Sequence, residues 1–344
     1  MTTQLDCSIG LKEEAAYGTP VVVDQFVEFT NESLDFKPGF LQGKGQRPGY
    51  RVARAGRRSI GKIEAGGGIT LEAPIKGLGI FLKAALGSVT NTAVVGQAGV
   101  FQQVHTPTVT DPLPSYTIQK GIPPQGGGAT HAITFPGSMC SSLEINAKAG
   151  EIVEIVTDWT SREAKTDIGY APPSYPAALD LFTFVHGQIV IAANGFTAPT
   201  ATALAAGGTA VANITEFSTK WDNGLDSDGW NLGGAGKRSR KAWAGEGKLT
   251  GKLGAEYDST TLRDAYLAQT DLGVLLTFTH TSVIGTSANP VLQVYIPCIN
   301  LGGSIPAAAN GGVIKQSIDF TGLDPQVTAQ APLYVVYRST DAAP

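Results

Sequence analysis

Apolar and polar residues alternate along much of this chain with the two-residue period of half-buried strands. Residues 115–120 set Tyr116 and Ile118 against Thr117 and Gln119, and residues 142–147 turn Leu143, Ile145 and Ala147 to one side. Over residues 151–159, Ile152, Glu154, Val156 and Asp158 oppose Val153, Ile155, Thr157 and Trp159. Paired runs of this kind predict an antiparallel sheet with two distinct faces. Further strand material lies at residues 21–29, 64–72, 247–257, 274–280, 292–296, 313–320 and 333–337, and residues 179–193 read as two strands about His186-Gly187. The glycines of residues 64–72 predict a bend or a close backbone approach. Helical spacing occurs twice. Leu78, Leu82, Ala85 and Leu86 end at Gly87, and Leu262, Tyr266 and Leu267 follow Asp258-Ser259, which is placed to cap a helix near residues 260–269. Residues 37–58 carry Gly, Pro and Arg with few large aliphatics and predict a long exposed loop or hairpin. Residues 88–103 form a low-complexity Val/Ala/Gly/Thr stretch expected to be extended.

The pattern recurs. Gly56, Arg58, Ser59, Gly67 and Thr70 reappear without a gap as Gly236, Arg238, Ser239, Gly247 and Thr250. Glu28-Phe29-Thr30 matches Glu216-Phe217-Ser218, and Asp158-Trp159-Thr160 matches Asp319-Phe320-Thr321, in the same order. This predicts a duplicated domain, each copy reading basic loop, strand, short helix. The alternative is that any two β-rich segments with Gly-rich turns share such features. Tyr170-Ala171-Pro172-Pro173-Ser174-Tyr175-Pro176 cannot lie inside a sheet, so the expected division is 1–176 and 177–344.

Composition narrows the classes. A chain of 344 residues with 43 glycines and only 16% charged residues suits β-rich architecture, and it has room for two cores. The net charge of −4 argues against nucleic-acid binding by overall electrostatics. The cations are clustered nonetheless. Arg47, Arg51, Arg54, Arg57 and Arg58 crowd one loop with Lys44, and Lys237, Arg238, Arg240 and Lys241 crowd another. Cys7, Cys140 and Cys298 lack metal-type spacing and fit free thiols in a reducing compartment. Met1-Thr2-Thr3-Gln4 opens no secretory signal and no apolar run reaches spanning length, so the expectation is a protein kept inside the cell, without membrane insertion.

Candidate chemistry is sparse. Gly236-Lys237 has Asn231 where a phosphate loop needs its first glycine and Arg238 where it needs Ser or Thr. Asp226-Ser227-Asp228-Gly229 has Gly224 and Ala235 at the outer ligand positions of a calcium loop. His105, His131, His186 and His280 are scattered without metal spacing, and no nucleophile elbow appears. The reading is therefore no enzyme and no cofactor. The basic loops suit either phosphate contact or ion pairing with a neighbouring subunit.

Gly10-Leu11-Lys12-Glu13-Glu14, Tyr17-Gly18-Thr19-Pro20, Asn31-Glu32-Ser33, the Arg loop, the Gly-rich strand and the helix end Ala84-Ala85-Leu86-Gly87 together resemble the start of tail tube proteins of long-tailed, non-contractile phages. Trp221-Asp222-Asn223-Gly224-Leu225 also resembles that family's inner strand and turn. The resemblance implies a mainly β fold of sandwich or half-barrel domains, each with a short helix. It implies subunits that join edge to edge into rings, and rings that stack into the conduit through which the genome leaves. Implied partners are further copies of the chain, as a trimer if each supplies two of six tube domains or else a hexamer, with tape-measure, tail-tip and terminator proteins and transient passage of DNA. Arg47 through Arg58 and Lys237 through Lys241 become candidates for contacts between subunits or rings. Another structural virion protein, a capsid or tail decoration or a minor tail protein, and a carbohydrate-binding β-sandwich remain the competing classes.

Overall fold

The computed structural model describes residues 3–108, 113–177, 179–208, 213–257, 260–303, 305 and 314–344. The chain is mainly β with two helices. Its elements up to Pro176 are β1 (Ser8–Glu13), β2 (Gln25–Val27), β3 (Asn31–Glu32), β4 (Asp35–Gln42), β5 (Arg58–Glu72), α1 (Gly79–Leu86), β6 (Gly87–Ala93), β7 (Phe101–Pro107), β8 (Tyr116–Ile122), β9 (His131–Lys148) and β10 (Glu154–Ser161). Then come β11 (Gly187–Ala192), β12 (Phe196–Thr197), β13 (Ala206–Gly207), β14 (Ile214–Asp222), β15 (Lys248–Glu256), α2 (Thr261–Ala268), β16 (Leu272–Thr279), β17 (Val291–Leu301), β18 (Lys315–Gly322) and β19 (Tyr334–Ser339). All strands but the β12–β13 pair join one antiparallel network.

Two orders of neighbours run through that network. The first is β1-β8-β9-β10-β5-β3. The second is β11-β16-β17-β18-β15-β14. In chain order the strands of the two sets correspond one for one, and α1 follows β5 as α2 follows β15. The long strands β9 and β17 each change partners along their length. Residues 131–138 of β9 pair with β8, whereas its C-terminal half lies between β10 and β14. The sets are joined there, where Trp221 of β14 opposes Leu143 of β9, and β19 links β17 of the second set to the β6–β7 hairpin, which belongs to neither.

The main core lies under this sheet. Helix α1 has every residue except Lys83 buried, so apolar side chains on all sides suit it. Gly87 stops it at φ 80°, a left-handed conformation that costs glycine little. Phe81 and Tyr116 both meet Trp159 edge to face, with ring centroids 6.2 and 5.8 Å away. Helix α2 buries only Leu262 and is the more peripheral. The N-terminal lead-in is pinned by Glu14, a buried carboxylate that accepts from the Gly18 and Gly137 amides and the Thr117 hydroxyl. Three such bonds satisfy carboxyl oxygens that have left water.

Several expectations are corrected. Residues 179–193 hold one strand, β11, because residues 184–186 turn as a 3-10 helix. Residues 88–103 are largely extended, as expected, in β6 and the start of β7. The Asp258-Ser259 cap and Val313 lie outside the described residues. The repeat at Gly56–Thr70 and Gly236–Thr250 is also out of step with strand pairing. The first ladder ends at Glu72↔Glu154 and the second at Glu256↔Lys315, so Glu72 corresponds to Glu256, four residues beyond its sequence match at Lys252. Pairing follows which faces can be buried, and a shift of four preserves the inward face.

Candidate functional site

The basic residues that the sequence groups as two similar loops occupy dissimilar structures. Strands β4 and β5 form a hairpin in register from Asp35↔Gly66 to Gln42↔Arg58, with a shift between Pro38 and Phe40. Pro38 has no amide to donate, and a Cβ on Gly39 would lie 2.7 Å from the Lys62 carbonyl, so the irregularity falls where the backbone permits it. Residues 43–57 extend this hairpin as an arm. It is held from within: the Gly43 amide donates to the Arg57 carbonyl at 2.9 Å, Arg57 Nη1 to the Gly45 carbonyl at 3.0 Å, and Gln42 Nε2 to the Arg54 carbonyl at 3.2 Å.

The arm's cations stack on its own aromatics. Arg58 lies 4.0 Å from the Phe40 ring centroid, and Arg47 and Arg54 flank Tyr50 at 5.4 and 5.9 Å. Such contacts order a guanidinium without neutralising it. Among the described residues, no carboxylate pairs with Arg47, Arg51, Arg54, Arg57 or Arg58. Beside them stand exposed apolar side chains, with Leu41 at 64%, Val52 at 82% and Ile60 at 62% accessibility. An apolar, cationic projection presents surface that an isolated subunit has little use for.

The second group turns inward. Arg238 is buried, donates to the carbonyls of Asp226 and Asp228, and lies 4.4 Å from the Trp230 ring, which Lys62 approaches at 4.6 Å. Arg240 pairs with Asp226 at 2.5 Å, and its hydrogen bond holds that carboxyl below the usual range. Lys237 pairs with Glu163, and Lys241 donates to the Leu113 carbonyl. The loop braces the foot of the arm, where the Ile63 amide donates to the Gly236 carbonyl at 2.8 Å and Trp230 Nε1 to the Ile63 carbonyl at 3.2 Å. Local similarity could not reveal this, since one copy continues straight into a strand while the other folds back before β15.

Other candidates resolve into structural roles. Trp221 donates to Asn223, whose amide donates in turn to the Ala85 and Cys140 carbonyls, anchoring the end of β14. Burial pushes the Cys140 thiol up, far from thiolate chemistry. His186 and His280, far apart in sequence, come within 4.5 Å between ring centroids, an approach that spacing gave no means of finding. Among the described residues, no three His, Cys, Asp or Glu side chains group to hold a metal, and no helix is long and apolar enough to cross a membrane.

One antiparallel network thus carries a braced arm of exposed apolar groups and of charge unpaired among the described residues. The profile of the phage tail tube protein family matches residues 4–322, and the chain belongs to that family. No curated protein matches it. The chain is thus a structural component of the phage virion tail.

Proposed function

We propose that this chain is the tube subunit of a long-tailed, non-contractile phage, and that 1–176 and 177–344 are tandem tube domains descended from a duplication. Three copies then close a ring of pseudo-sixfold symmetry, and stacked rings form the conduit for genome ejection. One observation carries this reading: the strand order β1-β8-β9-β10-β5-β3, with its helix, recurs as β11-β16-β17-β18-β15-β14 in the same sequential order. Chance similarity of β-rich segments gives no reason for six strands to keep both neighbours and sequence. Each half supplies four strands to a common wall, β3-β5-β10-β9 and β14-β15-β18-β17, joined where β14 meets β9. The same join, repeated from the β17 end of one copy to β3 of the next, closes the wall and removes its open edges.

Arg47, Arg51, Arg54, Arg57 and Arg58 then belong at ring-to-ring contacts, because a bore lined with arginine would hold phosphates too tightly for DNA to slide. Lys237, Arg238, Arg240 and Lys241 support the contact indirectly by fixing the arm's foot. Tape-measure, tail-tip and terminator proteins complete the partners, and assembly takes place in the host cytoplasm. Reversing charge at Arg57 and Arg58 tests the reading. The subunit should keep its circular-dichroism spectrum and melting temperature while electron micrographs lose long tubes. Tubes of normal length from that variant refute the assignment.

A further inference from the structure

Strand β5 begins at the arm and ends in a concentration of the opposite charge. Its first residue is Arg58 and its last is Glu72, roughly 45 Å apart along an extended strand. Glu72 sits directly opposite Glu154 on β10, and these two join Glu151 and Glu216 around a cleft of about 620 Å³. The one cation there, Lys148, is bonded to Glu151 at 2.7 Å. Like charges directly opposed across a ladder repel. The corresponding position of the second set pairs Glu256 with Lys315, so the acidic pair is not a demand of the fold. The chain therefore carries an excess of guanidinium groups at one end of a strand and an excess of carboxylates at the other.

We infer that the arm of one copy docks into this cleft on the next copy, head to tail, which rests on the tube reading above. A contact between different surfaces of identical chains repeats, and where it runs along the ring axis rather than around it, it does not close and so propagates a stack. The occupant is specified by charge, since the arm's five arginines lack carboxylate partners among the described residues while the cleft holds four glutamates and one lysine. The apolar side chains of the arm add dehydrated contact around the ion pairs, which strengthens them relative to exposed surface bridges.

Charge exchange tests this on the full-length chain, followed by sedimentation velocity and electron microscopy at low salt. An arm variant carrying Arg51→Glu and Arg54→Glu, and a cleft variant carrying Glu151→Lys and Glu154→Lys, should each form single rings but at least tenfold fewer stacked ones. The chain with all four substitutions should stack again. A cleft variant that stacks like the wild type, or a fourfold variant no better than either parent, overturns the docking and leaves the tube reading standing. Wild-type chain that never forms rings overturns both. Should a variant fail to fold, carbodiimide coupling of unaltered assemblies gives an independent result: Lys44 on the arm should join Glu72, Glu151, Glu154 or Glu216 of another copy, and coupling confined to other carboxylates rejects the contact.

Discussion

Glu72 and Glu154 oppose one another on neighbouring strands although nothing in the ladder requires both to be acidic. Replacing Glu154 with Lys turns the repulsion into attraction and should stabilise the isolated subunit by about 0.5 kcal/mol, read as a small rise in chemical-denaturation midpoint. An unchanged or lower midpoint would show that the pair carries no penalty. His105 gives the pH dependence. Burial, with Lys83 adding repulsion, lowers its pKa to about 3. The unfolded chain binds a proton near pH 6.5 that the folded chain refuses until about pH 3, so stability from neutral His105 is complete above pH 6.5 and falls as pH drops through that window. The full loss is on the order of 5 kcal/mol. His105→Gln should flatten the slope of unfolding free energy between pH 6.5 and 4, and an unaltered slope would assign acid sensitivity to the carboxylates. Neither effect was legible in the sequence, because Glu72, Glu151, Glu154 and Glu216 converge only through strand register and His105 only through burial.

At the scale of elements, sequence patterning succeeded wherever one strand or helix declares itself locally. Alternation located β8 and β10, and the glycines ahead of Glu72 marked a close approach: a Cβ on Gly66 would fall 2.1 Å from the Trp159 carbonyl and one on Gly67 2.2 Å from the Ser33 carbonyl. Gly251 in β15 obeys the same constraint between β14 and β18. A methyl group there would sit 2.3 Å from the Ser218 carbonyl and 2.2 Å from the Phe320 ring, which stacks on Phe217. Gly251→Ala should therefore cost about 3 kcal/mol in unfolding free energy, and a loss below 1 would mean the strands part easily. Pattern failed where elements are defined by distant partners. The pairings β19–β7 and β9–β14 join residues far apart in the chain, and no local period encodes which edge meets which. The two basic loops diverge for a related reason, since Trp230 and Glu163, which lie outside the repeated motif, decide the fate of the second together with Ile63.

For the whole molecule, the sequence carried the mainly β class and the family, both of which depend on summed features spread along the chain. The continuous wall was not foreseen, and it bears most directly on assembly. Eight strands in the order β3-β5-β10-β9-β14-β15-β18-β17 already contain one junction between halves, and the account holds that the junction between copies repeats it. The decisive measurement is cryo-electron microscopy of assembled full-length chain viewed down the ring axis. The account predicts three chains in each ring, six similar wall segments around the bore and an arm at every ring-to-ring boundary. Rings of six chains, each lining the bore with one half and carrying the other outside, would contradict it.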